Sequence, residues 1–299
     1  MNMNNTPLVS FITLNYNNTY LTVDFLRSLK GITYPYIEVI VVDNHSDVDP
    51  GPELKAIYPE VKIVHNSENL GFAGGNNSGI KEASGDYLFF INNDTVVSPH
   101  LVEPLLEVFK QYPDAGAVSP KFHYFFHKGI IEYAGYKQVN PVTGRNSMVG
   151  CGEIDRGQFN HVKETYYGHG GGMMIPRKVM AEIGGWPEIY FLYYEEFDLC
   201  SQIRKKGYKI YYQPACVIYH KVSMSIGKDN PLKTYYLNRN RILFMRRNVH
   251  SVKLFIFFFY LIFITIPKNL ISYSIKKEWN QLRAFIRAVW WHIQHPILS

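Results

Sequence analysis

The stretch EVIVVDNHS, residues 38–46, decides the fold class of this chain. Its first part is a continuous β-branched run that ends at Asp43, and such a run is typical of a strand covered on both faces. Short apolar runs also occur at residues 9–14, 61–65 and 87–91, and segments with the apolar spacing of helices separate them. This alternation predicts an α/β fold with a mostly parallel central sheet and helices on both faces.

The pattern also predicts where the individual elements lie. The helical spacing predicts helices over residues 21–29, 52–58, 74–83 and 101–109. Residues 121–165 carry no regular pattern and are predicted to be irregular. Further on, we predict a strand at 173–175, helices at 176–183 and 195–206, and two short strands at 210–212 and 216–219.

Charge divides the chain into two parts. The net charge is +6, but residues 233–299 carry 11 Lys and Arg side chains and one acid, Glu278. Residues 1–232 are mildly acidic, which is not the pattern of a nucleic-acid-binding protein, so we expect no nucleic-acid partner. The sequence therefore predicts a folded body over 1–232 and a basic, apolar, helical extension over 233–299.

The three cysteines and the N-terminal residues indicate the cellular compartment of the protein. Cys151, Cys200 and Cys216 share no close spacing, which predicts reduced thiols rather than disulfides or a zinc site. The N-terminal residues combine neither a basic region nor a long apolar run, so we expect no signal peptide and a cytoplasmic protein.

The extension contains an apolar stretch at residues 254–266, broken only by Thr265. A helix of this length reaches ~20 Å, which is short of the ~30 Å hydrocarbon core of a bilayer. Lysines, arginines and the tryptophans Trp279, Trp290 and Trp291 flank the stretch. This composition predicts association with an anionic membrane surface. Packing on the body, a dimer interface and a true membrane span are the alternatives.

Two acids stand where ligands of parallel sheets bind, at the carboxyl ends of strands. Asp94 follows the strand at 87–91 and is preceded by Asn92 and Asn93. A lone carboxylate among amides suits Mg²⁺, which takes few protein ligands, although an Asx-turn is the structural alternative. Asp43 either forms a turn or accepts a hydrogen bond from a base or ribose. His220 ends the last predicted strand, as a structural residue or as a second metal ligand beside Asp94.

Two glycine-rich stretches are candidate ligand contacts. Residues 68–77 match neither the dinucleotide-binding fingerprint nor a P-loop, but they lead into a helix whose N-terminal amides can meet a ligand. Residues 168–172 precede a strand. Their glycines either let the backbone approach a sugar closely or form a flexible loop.

Three carboxylates open the helix predicted at residues 195–206. Glu196 shares its helical face with apolar residues three, four and seven positions further on. Partial desolvation raises a carboxyl pKa and suits a general base. Solvated acids that the helix dipole favours are the alternative.

Together these segments resemble the family 2 glycosyltransferases with the GT-A fold, in particular the rhamnosyltransferase-like branch. The matching segments follow the family's order over roughly residues 8–222. They are residues 9–17, 41–46, 69–76, 90–95, 170–173 and 191–200, together with His220.

The resemblance implies an inverting transfer of a sugar, with rhamnose as a guess, from a nucleoside-diphosphate sugar to a lipid-linked saccharide acceptor. Such a reaction serves cell-surface polysaccharide synthesis, here at the inner face of a bacterial membrane, and a homodimer is a further expectation.

About residues 1–120 would bind the nucleotide and about 121–232 the acceptor. Asp43 would hold the base or ribose, Asp94 and His220 would bind Mg²⁺ or Mn²⁺, and Glu196 would be the general base. Further nucleotide contacts are implied for Asn15, Asn69, Gly71, Asn76, Asn92 and Asn93. Acceptor or sugar contacts are implied for Gly170, Gly171, Gly172 and Trp186.

Two positions depart from the family pattern. Asn92 stands at the first Asp of the DXD motif, so one anionic contact is missing. Glu196 stands at the Asp of the family's Glu-Asp pair and is one methylene longer, so Glu195 and Asp198 are alternative bases. Two other functions fit a related fold: a nucleotidyltransferase, and a non-catalytic protein that binds nucleotide sugars.

Overall fold

The computed structural model describes residues 6–222, 230–250 and 252–296. The strands are β1 (Val9–Asn15), β2 (Ile37–Asp43), β3 (Lys62–His65), β4 (Tyr87–Ile91), β5 (Thr95–Val97), β6 (Ala115–Tyr124), β7 (Ile131–Tyr133), β8 (Lys163–Thr165), β9 (Gly172–Pro176) and β10 (Lys209–His220). The helices of the body are α1 (Thr19–Leu29), α2 (Gly51–Ile57), α3 (Gly71–Glu82), α4 (Val102–Gln111), α5 (Arg177–Ile183) and α6 (Glu195–Lys205). The C-terminal helices are α7 (Pro231–Asn248), α8 (Val252–Tyr260), α9 (Ile266–Ile275) and α10 (Trp279–Gln294), and a π-helical segment, Leu261–Thr265, joins α8 to α9.

One sheet organises the body. Its main strand order is β3-β2-β1-β4-β9-β6-β10-β5, with β7 paired to β6 and β8 paired to β10. The strands β3, β2, β1 and β4 are mutually parallel, and β6 is parallel to β10. The strand β9 is antiparallel to both of its neighbours, β4 and β6. The predicted α/β architecture around a central sheet is confirmed, and the sheet is mixed, with parallel pairing through β3-β2-β1-β4 and between β6 and β10.

Successive side chains of the central strands enter two different cores. Phe11 of β1 and Val41 of β2 pack in the core that also contains side chains of α1, α2 and α4. Their neighbours Ile12 and Val42 pack in the opposite core, with side chains of α3, α5, α6 and α7. All four side chains are fully buried. A strand buried on both faces has no polar face, which explains the continuous apolar run in the sequence.

The second half of the body differs from the predicted pattern. Residues 121–165, predicted to be irregular, contain the end of β6 and the short strands β7 and β8. The two strands predicted at 210–212 and 216–219 are one strand, β10, whose register against β6 shifts between Gln213 and Val217. This irregularity interrupts the apolar pattern. Helix α3 begins three residues before its predicted start, because its glycine-rich first turns carry few large apolar side chains.

Helix α7 packs on the body although its sequence belongs to the predicted extension. Asn240, Ile242 and Leu243 are at most 1 % exposed. Arg247 Nε lies 3.1 Å from Asp198 Oδ2 of α6. The packing of the body therefore continues beyond residue 232, through α7 and to Phe257 and Leu261.

The apolar run of the extension is longer than its sequence suggested. Val252–Ile275 is continuously helical over 24 residues, and the π-helical segment Leu261–Thr265 lies just before Pro267. At 1.5 Å per residue the run is about 36 Å long. By length and composition it is the one helix, among the residues described, that is able to cross a membrane. This helix is therefore long enough to cross the ~30 Å hydrocarbon core, unlike the 13 residues predicted from the sequence.

Candidate active site

The carboxylate that ends β2 belongs to a chain of hydrogen bonds. Asn15 Nδ2 donates to Asp43 Oδ1 (3.0 Å), and the backbone N–H of Ser46 donates to Asp43 Oδ2 (3.2 Å). Thr22 Oγ1 donates to Asn15 Oδ1 (2.7 Å), and Asn93 Nδ2 donates to Thr22 Oγ1 (2.9 Å). Three of the predicted nucleotide contacts, Asn15, Asp43 and Asn93, are thus brought together at the carboxyl ends of neighbouring strands.

A second set of predicted nucleotide contacts shapes the turn before α3. Asn44 Nδ2 donates to Asn69 Oδ1 (2.9 Å) and to the backbone oxygen of Gly71 (3.0 Å). Gly71 has a φ of +69°, and a Cβ at this position would collide with the backbone oxygen of Phe191. Glycine is therefore required where this turn meets the segment that leads into α6.

Three predicted ligand contacts lie in the interior instead. Asn76 and Trp186 are both 2 % exposed. The Asn76 amide donates to the Phe72 carbonyl within α3, and the Trp186 ring packs edge-on against Phe72 and Phe90. Gly172 packs directly against side chains of β6 and β10. The structure thus places Asn76, Trp186 and Gly172 against interior neighbours, and their ligand contacts stay predictions.

The two predicted metal ligands are neighbours. Asp94 follows β4, and the antiparallel pairing of β10 with β5 places His220 opposite Thr95. Asp94 Oδ1 and His220 Nε2 lie 3.1 Å apart. Their alignment does not form a hydrogen bond, and neither buried atom has another hydrogen-bond partner among the described residues. Two such atoms, one oxygen and one nitrogen, suit a shared divalent cation such as Mg²⁺ or Mn²⁺.

A glutamate on β7 orients His220. Both Glu132 carboxylate oxygens lie 2.9–3.0 Å from His220 Nδ1. If the imidazole is neutral, Nδ1 donates its proton to Glu132 and the Nε2 lone pair faces Asp94. Glu132 Oε1 also lies 3.7 Å from His169 Nε2. One ligand atom each from Glu132, His169 and His220 can be chosen so that all three lie within 4.8 Å of one another.

The charges of this cluster are coupled. Burial alone would raise the pKa of Glu132, but hydrogen bonds with His169 and His220 outweigh burial and lower the pKa to about 2. Burial alone would lower the pKa of His220, but the carboxylates of Asp94 and Glu132 raise it to about 10. The buried carboxylates thus favour a positive charge between them, which an imidazolium or a divalent cation supplies.

Sequence reasoning missed Glu132 and His169. Glu132 is the one acid within the three-residue strand β7, which lies in the stretch predicted to be irregular. His169 interrupts the glycine-rich stretch at 168–172. The available signal was an acid between two large apolar residues, because a buried acid on a strand needs a partner.

Helix α6 opens on two acids after a strained turn. Tyr193 and Tyr194 have φ values of +68° and +75°, in the left-handed region that non-glycine residues rarely adopt. Asn240 of α7 donates from Nδ2 to the backbone oxygens of Leu192 (2.7 Å) and Tyr193 (2.8 Å). A fully buried side chain of α7 therefore holds the turn that presents both acids.

Both acids are desolvated. Glu195 is 5 % exposed, Glu196 is partly exposed, and each has one buried carboxylate oxygen without a hydrogen-bond partner among the described residues. Burial raises the pKa of Glu196 to about 7. Burial and the neighbouring Glu196 carboxylate raise the pKa of Glu195 well above its usual value. A carboxylate that titrates near neutral pH is suited to accept a proton from a hydroxyl.

The third acid of the segment is structural. Asp198 is fully buried, and its two oxygens contact Arg247 and Asn248 of α7. It joins α6 to α7 and does not offer a free oxygen to a substrate.

A glycine turn separates the acid pair from the candidate metal ligands. A Cβ on Gly170 would lie 3.5 Å from Glu196 Cβ. The backbone N–H of Asn92, two residues before Asp94, donates to the Gly171 carbonyl (3.1 Å). The turn thus contacts both the helix that carries the desolvated acids and the strand end that carries Asp94.

A cavity of about 670 Å³ lies away from these residues. It is lined by the loop near residues 138–141, by α6 and by the junction of α7 with α8, and none of its lining residues is acidic. No predicted site residue lines this cavity.

A mixed central sheet with a carboxylate after β4 and desolvated acids at the start of α6 fits the GT-A class of glycosyltransferases. Residues 10–184 match Glycosyl transferase family 2, and the chain belongs to this family. The chain is therefore a glycosyltransferase that acts on nucleotide sugars, and the predicted family and enzyme class are confirmed.

Two relatives are each about a quarter identical to this chain over the aligned residues. An N-acetylglucosaminyl-diphospho-decaprenol L-rhamnosyltransferase of Mycobacterium tuberculosis is 24 % identical over 225 residues, which cover 69 % of this chain and 73 % of the relative. A poly-β-1,6-N-acetyl-D-glucosamine synthase of Staphylococcus aureus is 23 % identical over 230 residues, which cover 73 % of this chain and 51 % of the relative. The chain thus spans about half the length of that synthase.

Solved structures share the fold at lower identity. GalNAc-T7 with UDP, GalNAc and Mn²⁺ superimposes with a TM-score of 0.64 at 16 % identity, over 80 % of this chain and 48 % of that one. The mannosyltransferase PcManGT from Pyrobaculum calidifontis, in complex with GDP-Man and Mn²⁺, gives 0.58 at 19 % identity, over 99 % and 77 %. These similarities support the GT-A fold.

Proposed function

We propose that this glycosyltransferase transfers a sugar, with inversion and with a divalent cation, from a nucleoside-diphosphate sugar to a lipid-linked saccharide acceptor. The observation that carries the proposal is the glycine turn that contacts both Glu196 and the strand end bearing Asp94. A rhamnosyl donor is the first candidate, because the M. tuberculosis relative is named for rhamnose transfer to a lipid-diphosphate-linked sugar.

In this proposal the donor binds at the carboxyl ends of β1, β2 and β4. Asp43, oriented by Asn15, accepts hydrogen bonds from the base or ribose. Asp94 and His220 hold Mg²⁺ or Mn²⁺, which supplies positive charge to the diphosphate leaving group when bound. Glu132 orients His220 through Nδ1 and is a positioning residue.

Glu196 acts as the general base. It accepts the proton of the acceptor hydroxyl while that oxygen attacks the anomeric carbon and the bond to the diphosphate breaks. A single displacement of this kind inverts the anomeric centre. Glu196 is favoured over Asp198, whose oxygens are engaged by α7, and over Glu195, which is more deeply buried.

Hydrolysis of nucleotide sugars in the absence of acceptor tests the reaction class. We expect the full chain to release a nucleoside diphosphate from at least one of a set of UDP-, GDP- and dTDP-sugars, with Mn²⁺ and not with EDTA. A nucleotidyltransferase would instead release diphosphate from a nucleoside triphosphate, and a non-catalytic protein would bind a nucleotide sugar without turnover. Either of these results contradicts the proposal.

We also propose that Val252–Ile275 associates with the cytoplasmic face of the cell membrane. One side of this helix is covered by α7 and its neighbours, since Phe257, Leu261 and Thr265 are at most 6 % exposed. The opposite side exposes large apolar side chains over its whole length. Basic residues and tryptophan at its ends suit the anionic headgroup region. The homodimer stays a prediction.

Flotation with phosphatidylglycerol liposomes tests this association. Phe255, Phe259 and Phe263 are 57–72 % exposed on the helix. We expect the combined substitution of these three residues by Asn to lower the liposome partition coefficient at least tenfold, because each buried Phe contributes about 1.5–3 kcal/mol. Phe126→Asn, at an equally exposed aromatic residue of the body, is the matched control. Equal partition of the triple variant and the control would contradict the membrane proposal.

A further inference from the structure

A buried arginine lacks an acidic partner where α7 meets the loop at residues 140–147. Arg241 is 4 % exposed. Its Nη2 donates to the neutral side chain of Asn238 (3.2 Å), and its buried Nε has no acceptor among the described residues. In the described parts of the chain no carboxylate lies within ion-pair distance of it. An unpaired buried cation is unfavourable unless a ligand compensates it.

The other arginines of α7 do have partners. Arg247 pairs with Asp198. Arg239 donates to the Ile189 carbonyl and lies over the ring of Trp291. Arg241 is therefore the one arginine of α7 with a buried guanidinium nitrogen that has no acceptor among the described residues.

A second cation lies on the adjoining loop. A Cβ on Gly144 would lie 3.0 Å from Arg241 Cγ, so the loop backbone lies directly against this arginine. Arg145 follows, with an exposed side chain, and its positive charge acts on Arg241. Asn146 Nδ2, one residue further, is also buried without an acceptor among the residues described. The loop and α7 thus bring positive charges and hydrogen-bond donors together. Two of these donors, Arg241 Nε and Asn146 Nδ2, have no acceptor among the described residues.

This cluster lies between the acid pair and the apolar helix. Tyr194 Oη donates to the Gly144 carbonyl (3.0 Å), and Tyr194 directly precedes Glu195. On the other side, a Cβ on Gly144 would lie 3.0 Å from Phe257 Cε2 of α8. Gly144 therefore lies against Tyr194, which directly precedes α6, and against Phe257 on the buried side of α8.

We propose that Arg241 and Arg145 bind the diphosphate of a lipid-diphosphate-linked acceptor, with its lipid along the apolar face of Val252–Ile275 and its sugar towards Glu196. The guanidinium group suits this role because its planar fork of donors matches phosphate oxygens bidentately. The inference rests on the proposed function and deepens it, since it names the chemical class of the acceptor and the residues that recognise it.

A membrane phospholipid offers the same phosphate chemistry. Two observations favour the acceptor. Arg241 is almost completely buried, whereas a headgroup of the bilayer surface would meet exposed side chains. The loop that carries Arg145 is also bonded to the residue before the acid pair, which is where an acceptor sugar must arrive.

Binding of geranylgeranyl diphosphate to the full chain in neutral detergent tests the inference. EDTA is included so that the diphosphate does not bind through a cation at Asp94. We expect saturable binding that Arg241→Gln and Arg145→Gln each weaken at least tenfold, and no saturable binding of geranylgeraniol. Arg156→Gln, at an exposed arginine of the body, is expected to bind like the wild type. Arg145 is exposed, so its variant keeps the test valid if Arg241→Gln does not fold.

Unchanged affinity of the Arg145→Gln variant and of a folded Arg241→Gln variant overturns the inference. Phosphatidylglycerol that competes as strongly as the isoprenyl diphosphate also overturns it and assigns the cluster to the bilayer surface. The proposed function is tested separately by hydrolysis of nucleotide sugars with Mn²⁺. A wild-type chain that binds the isoprenyl diphosphate but hydrolyses no donor refutes the function, and a chain that hydrolyses a donor but shows no arginine-dependent binding refutes only the inference.

Discussion

Asp94→Ala is expected to remove nearly all sugar transfer. Asp94 is the carboxylate nearest to His220 Nε2, at 3.1 Å, and Asn92 offers no second negative charge in the same motif. Without Asp94, negative charge that develops on the diphosphate is left without its cation. Charge stabilisation by a bound cation is worth several kcal/mol, so we expect kcat to fall at least 10³-fold. Transfer or donor hydrolysis at saturating Mn²⁺ provides the measurement.

The control for this variant is Glu60→Gln, which removes an exposed carboxylate from the loop before β3. It is expected to keep wild-type activity. His220→Ala should share the defect of Asp94→Ala, because both atoms face the same position. An Asp94→Ala enzyme that keeps the wild-type rate at saturating metal would show that the cation is held elsewhere.

Glu196→Gln is expected to lower turnover about 10²–10⁴-fold, the usual contribution of a general base. Gln has nearly the same shape and does not accept the proton, so binding of the donor should change little. Steady-state kinetics with an acceptor should therefore show the loss in kcat rather than in the donor KM. A loss of less than tenfold would move the base to another residue, and Glu195→Gln is the matched variant for that comparison.

The pH dependence gives an independent measurement of the same group. Burial raises the pKa of Glu196 to about 7. Because a base acts in its ionised form, the rate should rise with pH through this value and level off above it. The residual rate of Glu196→Gln should lack this acidic limb. An identical limb in wild type and variant would assign the titration to another group.

The placement of two candidate donor-site acids at strand ends could be predicted from the sequence. Asp43 and Asp94 end apolar runs, and the ends of parallel strands lie together at one edge of a sheet. Helical spacing likewise predicted a desolvated Glu196, and burial raises its pKa. These inferences succeeded because each depends on residues that are close in the chain.

The residues that orient the site were not predictable in this way. Glu132 lies on a strand of three residues, which is too short for a recognisable period. Asn240 and Arg241 belong to a helix whose sequence indicated a separate extension, yet their side chains are buried against the body. Trp186 and Asn76 were assigned to ligands, although both are in the interior, because residue type does not reveal which way a side chain points.

The sequence by itself determined the α/β class, the first four strands of the sheet and the acids that follow two of them. Local periodicity and strand ends carry that information. Only the tertiary structure decided that His220 meets Asp94 and that α7 holds the turn before the acid pair. Those contacts depend on the pairing of β10 with β5 and on the docking of a distant helix, and such long-range packing leaves no periodic signal in the chain.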